Sequence, residues 1–205
     1  MKSNLFLCAL LALVIPTAIF AEPAPAAKYS ALKNTVILVI RHAEKPDDGL
    51  GLTADGEARA RAYADYFKNL AVDGQPLKPD YLFAAADSQG SHRPRLTLEP
   101  TSHALGLAID TRFKSKDVQE IADEVHSKPH GHTILIAWHH GQIPNLLHAL
   151  GADTRQLVPN DKWPEHVFGW LIVLRYDAEG RLIEAKRINE KLMPDDLKTT
   201  AAATP

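Results

Sequence analysis

The sequence is almost without cysteine, and it also lacks an excess of charge of either sign. Cys8 is the only cysteine among 205 residues, and a single thiol can form neither an internal disulfide nor a cysteine-type zinc site. The 23 Lys and Arg residues are balanced by 25 Asp and Glu residues, which gives a net charge of −2. Nucleic-acid-binding proteins are usually basic, so we expect no nucleic-acid partner. A hydrophobic content of 45% excludes a largely disordered chain.

The apolar run near the N-terminus is shorter than a typical membrane span and predicts a secretory signal peptide. Lys2 gives a positive start, Leu5 to Phe20 is almost wholly apolar, and the small residue Ala21 follows. This order is typical of a signal peptide, whereas a membrane-spanning helix needs about 20 apolar residues. We expect cleavage after Ala21, with Ala24 and Ala26 as alternative sites and an uncleaved anchor as the alternative interpretation.

The remaining organisation follows from composition. Residues 1–21 form the predicted signal peptide, and the chain left after its removal contains no cysteine, which suits an oxidising compartment. We therefore expect a periplasmic or secreted protein with no stable membrane insertion after cleavage. Residues 22–33 are rich in Pro and Ala and predict an extended linker, residues 34–198 the folded domain, and residues 199–205 a disordered tail.

Apolar runs and helical patterns alternate along the folded part of the chain. Continuous apolar runs predict buried strands at residues 35–40, 81–86 and 133–137. Helical spacing of apolar residues predicts helices at residues 53–70, 92–107, 116–127 and 143–150. Two further strands, 170–176 and 182–188, flank a predicted turn. This alternation predicts an α/β fold, a three-layer α/β/α sandwich with a mostly parallel central sheet.

Basic and imidazole side chains follow each of the three buried strands. In strand order they are Arg41 and His42, then Arg93 and Arg95, then His139 and His140. In open α/β sheets, sites form beyond the carboxyl ends of the strands, so we expect these groups to meet at one edge. Arginines and histidines that converge there would bind an anion such as phosphate, sulfate or carboxylate.

The same cluster of side chains suits phosphoryl transfer. A neutral histidine is a nucleophile and titrates near neutrality, and two arginines can hold phosphoryl oxygens while charge shifts during transfer. Because the arginines supply the positive charge, we expect neither a metal nor a cofactor. The competing zinc site, His126 with His130 and His132, has ligand-like spacing but crosses a helix end and a turn and lacks an acidic or Cys partner nearby.

Four motifs carry these residues: RHAEK after the first strand, LTADGEARARAYADYF from Leu52, SQGSHRPRLTLEP from Ser88, and ILIAWHHGQIPNLLHALG around the third strand. They resemble, in order, the Arg-His-Gly signature, the Leu-Thr-x-x-Gly helix, the Ser…Arg-x-x-x-Thr…Pro segment and the second-histidine segment of the histidine phosphatase superfamily. The resemblance spans residues 35–151, with Ala43 in place of the signature glycine. It implies the phosphoglycerate-mutase-like fold of that superfamily.

The resemblance also implies roles for the matching residues. Arg41 would bind phosphate, and His42 would be the nucleophile that becomes phosphohistidine. Arg93 would be the second phosphate clamp because it precedes Thr97 by the family's interval, and Arg95 is the alternative.

The second catalytic histidine and the general acid are less directly specified. Counting from the strand favours His139, whereas the His-Gly pair favours His140, and we expect His140. We expect His139, Glu44 and Lys45 to contact the substrate. Glu44 is also a candidate general acid or a helper that orients the pocket, and Glu99 is the other candidate acid.

Together these features predict an exported, metal-independent phosphatase. It would hydrolyse phosphate monoesters of small molecules through a phosphohistidine on His42. The alternative is a catalytically weak relative that binds phosphate as a receptor, and a histidine-metal hydrolase is a second alternative. A mutase fits less well, because its glycolytic substrates stay in the cytosol.

Overall fold

The computed structural model describes residues 31–196. The predicted signal peptide, the predicted tail and most of the predicted linker lie outside these residues. Within the described range, no helix is both long enough and apolar enough to cross a membrane.

Most elements lie within a few residues of their predicted positions. The strands are β1 (Val36–Arg41), β2 (Ala71–Val72), β3 (Gln75–Pro76), β4 (Tyr81–Ala84), β5 (Ile109–Asp110), β6 (Thr133–Trp138), β7 (Trp170–Tyr176) and β8 (Leu182–Asn189). The helices are α1 (Ala54–Asn69), α2 (Arg93–Leu105), α3 (Val118–Ser127) and α4 (Ile143–Ala149), with 3-10 turns at Thr154–Gln156 and Pro159–Asp161. The short strands β2, β3 and β5 and the two 3-10 turns were not predicted.

Six of these strands form the central sheet in the order β5-β4-β6-β1-β7-β8. Strand β6 pairs in parallel with both β1 and β4, and β5 pairs in parallel with β4. Strands β7 and β8 extend the sheet in antiparallel fashion. The register places Arg41 opposite Trp138, so the carboxyl ends of β1, β6 and β4 share one edge, as predicted.

Helices cover both faces of the sheet. Successive residues of a strand point to opposite faces, and β1 accordingly contributes Ile37 and Val39 to one core and Leu38 and Ile40 to the other. The first core contains buried residues of α3 and α4, and the second contains buried residues of α1 and α2. The predicted three-layer α/β/α arrangement with a mostly parallel sheet is confirmed.

The turn from β1 into α1 is fixed by close backbone contacts. The Thr53 hydroxyl caps α1 by accepting a hydrogen bond from the Gly56 N–H at 3.1 Å. The Thr53 N–H donates to the Glu44 carbonyl at 3.1 Å. A Cβ atom at position 56 would lie 2.4 Å from that carbonyl, so only glycine fits there. These contacts hold the residues after β1 over the edge of the sheet.

A buried polar network joins α1 to the C-terminal part of the described chain. The Arg59 guanidinium donates to both carboxylate oxygens of Glu44 and to both of Asp196, at 2.7 to 3.1 Å. The Tyr63 hydroxyl donates to Glu190 Oε2 at 2.8 Å. Burial is the largest influence on Glu190 and raises its pKa to about 8, while Tyr63 and Arg59 partly oppose the shift.

The raised pKa of Glu190 predicts a pH dependence of stability. The folded chain holds this proton up to about pH 8, whereas the unfolded chain releases it near the ordinary value of 4.5. The free energy of unfolding should therefore fall as pH rises through this window, by several kcal/mol at about 1.4 kcal/mol per pH unit. Glu190→Gln keeps an acceptor for Tyr63 but does not titrate. About two pH units of the window lie above pH 6, so the stability of this variant should fall by about 3 kcal/mol less than that of the unmodified chain between pH 6 and 9.

Urea unfolding of both proteins at a series of pH values checks this expectation. Groups that titrate in both proteins contribute equally and cancel in the difference. Parallel pH profiles would contradict the proposed burial of an ionisable Glu190.

Candidate active site

The register of β1 and β6 brings two histidines together. The His42 N–H continues the ladder by donating to the Trp138 carbonyl at 3.0 Å. His139, the next residue after Trp138, therefore lies beside His42. The two rings meet edge to face with centroids 5.2 Å apart.

Arg41 is fully buried at this edge, and a loop before β7 holds it. Its Nη1 donates to the carbonyls of Pro164, Glu165 and Val167 at 3.3, 2.5 and 3.0 Å. Its guanidinium carbon lies 3.8 Å from the centre of the Phe168 ring. We call residues 164–168 the Arg41 clamp. Burial lowers the pKa of Arg41 to about 10, which leaves it cationic at neutral pH.

Two nitrogens of Arg41 are left for a ligand. Its Nε and Nη2 are buried and have no hydrogen-bond partner among the described residues. Buried donors of this kind are rare because each unmade hydrogen bond costs free energy. The clamp therefore fixes one side of the guanidinium and leaves two donors to face an anion.

His42 is buried and its protonation state is specified by its neighbours. Its Nδ1 lies 2.7 Å from the Ala43 carbonyl, and because a carbonyl only accepts, Nδ1 must carry the proton. Burial lowers the pKa of His42 to about 2, and the charge of Arg41 contributes in the same direction. At physiological pH the ring is therefore neutral, with the lone pair on Nε2.

Arg93, the first residue of α2, is the second cation at the site. The Thr97 hydroxyl donates to the Arg93 carbonyl at 2.8 Å and accepts from the Ala43 N–H at 2.9 Å, which ties α2 to the residue after His42. Arg93 Nη1 donates to the Gly49 carbonyl at 3.1 Å, and its Nε is buried without an acceptor in residues 31–196.

The positive charge of Arg93 acts on the rest of the cluster, whereas that of Arg95 is neutralised elsewhere. Arg93 lowers the pKa values of Arg41, His42 and His139. The Arg95 guanidinium instead binds Asp87 at 2.9 Å and also Glu99. The structure thus brings Arg93 to the site and turns the alternative, Arg95, toward two carboxylates.

Both candidates for the second histidine lie at the site, but their contacts differ. His139 contacts the His42 ring, and burial together with Arg93 lowers its pKa to about 4. The pKa of His140 is also lowered, by burial and by the charge of Arg41, although the negative charge of Glu165 partly opposes this shift. Its Nδ1 is a buried atom with no hydrogen-bond partner among the described residues. The contact between the His42 and His139 rings favours His139 as the second histidine. We had expected His140 from the His-Gly pair.

The other residues predicted at the site, Glu44, Lys45 and Glu99, make different contacts. Both oxygens of Glu44 accept hydrogen bonds from Arg59, so this carboxylate supports the loop after β1 rather than facing outward. Lys45 is exposed and its charge lowers the pKa of His140. The alternative acid, Glu99, is bound to Arg95.

Sequence reasoning missed the Arg41 clamp, and with it Glu165 and Phe168. The only feature of the sequence that could have indicated them is their position in a loop directly before a predicted strand. Nothing in that loop shows that its carbonyls bind a side chain more than 120 residues earlier.

The histidines of the competing zinc prediction serve other contacts. His130 packs against the Tyr81 ring with centroids 4.4 Å apart, and His126 meets Tyr176 at 6.2 Å. Among residues 31–196, no group of three or more His, Cys, Asp or Glu side chains is arranged to hold a metal ion.

Comparisons with known proteins give matches only at the level of structure. No family model matches the sequence, and no curated protein matches it. A structure described as the phosphohistidine phosphatase SixA of Agrobacterium tumefaciens is 20% identical, with a TM-score of 0.51 over 74% of this chain and 97% of that one. One described as SixA of Nakamurella multipartitia has 20% identity and a TM-score of 0.46 over 74% of this chain and 95% of that one.

A phosphoglycerate mutase of Plasmodium falciparum is 18% identical, with a TM-score of 0.49 over 76% of this chain and 91% of that one. At such identities a structural likeness shows the fold alone, and the SixA structure with a TM-score of 0.51 carries that conclusion. This chain therefore shares the fold of that SixA structure, which agrees with the fold that the resemblance of its four motifs implies.

Proposed function

We propose that this chain is a phosphatase that hydrolyses phosphate monoesters through a phosphohistidine formed on His42. One observation carries the proposal. Two arginines, Arg41 and Arg93, have buried donors without acceptors in the described part of the chain, next to a neutral imidazole with a free Nε2. A tetrahedral oxyanion satisfies such donors and offers its phosphorus to the imidazole.

Substrate binding would use the free donors of the cluster. Arg41 Nε and Nη2, with Arg93 Nε, would bind non-bridging phosphoryl oxygens. A histidine beside them, His139 or His140, would donate a further hydrogen bond to the same group. Because most of these groups are buried, their interaction with the anion is only weakly screened by water.

Phosphoryl transfer would then proceed in two steps. His42 Nε2 forms a bond to phosphorus as the bond from phosphorus to the leaving oxygen breaks. The hydrogen bond from Nδ1 to the Ala43 carbonyl keeps the ring oriented and stabilises the positive charge that develops on it. Water then attacks the phosphohistidine, which releases phosphate and restores the neutral ring.

The proposal extends to metal independence and to export. The arginines hold the positive charge that stabilises the transferring group, a role that Mg²⁺ has in other phosphoryl-transfer enzymes. The order of positive, apolar and small residues in segment 1–21 supports export of the chain to the periplasm or out of the cell.

Substitution of His42 tests the activity. Turnover of 4-nitrophenyl phosphate should fall at least about 1,000-fold in His42→Ala, because the nucleophile is removed, while inorganic phosphate should still bind through the arginines. His132→Ala is the matched control, since this exposed histidine precedes β6 at the opposite end of the sheet. Phosphate binding by the unmodified chain without any turnover would favour the receptor alternative.

A paired substitution separates the two candidates for the second histidine. His139→Ala should lower kcat more than His140→Ala because, of these two histidines, only His139 has a ring contact with His42 in the described part of the chain. A loss of roughly 100-fold or more is expected for a group that acts in the transition state. Steady-state kinetics on 4-nitrophenyl phosphate decides the matter, and a larger loss in His140→Ala would reverse the assignment.

The depressed pKa of His42 has a direct spectroscopic consequence. The buried ring should remain neutral from pH 8 to pH 5, because its pKa is lowered to about 2. Its ring-proton NMR signal, identified by its loss in His42→Ala, should not shift over that range. A titration midpoint near 6.5 would show that the ring is hydrated and cationic in mild acid.

A further inference from the structure

Hydrolysis of an alkyl phosphate needs a proton donor as well as a nucleophile. An alkoxide is a poor leaving group, so its oxygen must be protonated as the ester bond breaks. The two carboxylates that the sequence offers are both engaged by arginines: Glu44 by Arg59 and Glu99 by Arg95. The following inference rests on the proposed phosphatase activity and concerns the residue that supplies this proton.

Glu165 is held at the site by its own backbone. Its carbonyl accepts from Arg41 Nη1 at 2.5 Å, which places this residue beside the guanidinium. The Arg41 clamp is itself fixed, because the Val167 carbonyl accepts from the indole Nε1 of buried Trp163 at 2.9 Å as well as from Arg41. The backbone from which the Glu165 side chain extends is thus oriented by two buried side chains.

The Glu165 side chain is available for chemistry. It is exposed, and no hydrogen bond or ion pair to its carboxylate is present within residues 31–196. Its negative charge acts on Arg41 and on His140, which puts the carboxylate within electrostatic range of both. Of the three glutamates considered, only Glu165 combines this range with a carboxylate that no arginine binds.

We propose that Glu165 is the general acid and base of the reaction. In the first step the bond from phosphorus to the ester oxygen breaks, the oxygen keeps the electron pair, and the Glu165 carboxyl gives it a proton. The alcohol leaves and the phosphoryl group is bonded to His42 Nε2. In the second step the Glu165 carboxylate takes a proton from water as the water oxygen attacks phosphorus. Phosphate is released, and both His42 and the carboxyl return to their initial states.

The bound substrate itself favours the protonated carboxyl. A phosphate ester brings up to two negative charges next to Glu165, and like charges disfavour ionisation of a carboxyl group. The bound ester would therefore favour a Glu165 carboxyl that holds its proton until the leaving oxygen takes it.

The test compares two esters that differ in their need for a proton. In this chain, Glu165→Gln should lower kcat/KM on β-glycerol phosphate about 100- to 10,000-fold, and on 4-nitrophenyl phosphate by less than about fivefold. The parameter kcat/KM reports transfer to His42, the step in which only the alkyl ester needs a proton. Glu99→Gln is the matched control, and it should leave the turnover of both esters unchanged.

Three results with the variants would overturn the inference. They are an equal loss on both esters, no loss on the alkyl ester, and a leaving-group-dependent loss in Glu99→Gln instead. An unmodified chain that cleaves the aryl ester but not the alkyl ester would also overturn it while leaving the proposed phosphatase activity standing. An unmodified chain that cleaves neither would overturn the proposed function and this inference with it.

Discussion

The buried guanidinium of Arg41 is the constraint on which the rest of the site depends. Burying a charge is costly unless hydrogen bonds compensate for the lost water. Three carbonyls of the Arg41 clamp and the Phe168 ring provide part of that compensation. They do so on one side only, so Nε and Nη2 are left without a partner in the described part of the chain, and in the proposed function they bind the phosphoryl group. The hydrogen bonds to the three carbonyls join the loop before β7 to the end of β1.

The sheet converts this local constraint into a reactive geometry. Parallel pairing of β1 with β6 places His139 beside His42, and the contact of Ala43 with Thr97 brings the start of α2 and Arg93 to the same edge. Burial then keeps the imidazoles neutral beside cations that would otherwise be repelled by their protonated forms. Stability and the proposed reactivity are linked here because burial keeps the His42 imidazole neutral, as the proposed nucleophile must be.

The sequence predicts those parts of the molecule that depend on local pattern. Apolar runs located the central strands, and the rule that sites follow strand ends located Arg41 and His42. A proline inside a helix removes a backbone hydrogen bond and usually interrupts the helix, yet α2 continues through Pro100. Contacts between distant segments could not be predicted. The Arg41 clamp and the engagement of Glu44 by Arg59 both depend on side chains that meet only after folding.

A crystal structure of the chain with orthovanadate would test the central claim most directly. The account predicts vanadate bound through vanadium to His42 Nε2, with its oxygens within hydrogen-bond distance of Arg41 Nε and Nη2 and of Arg93. Vanadate bound elsewhere, or a His42 ring whose Nε2 faces packed hydrocarbon, would contradict it.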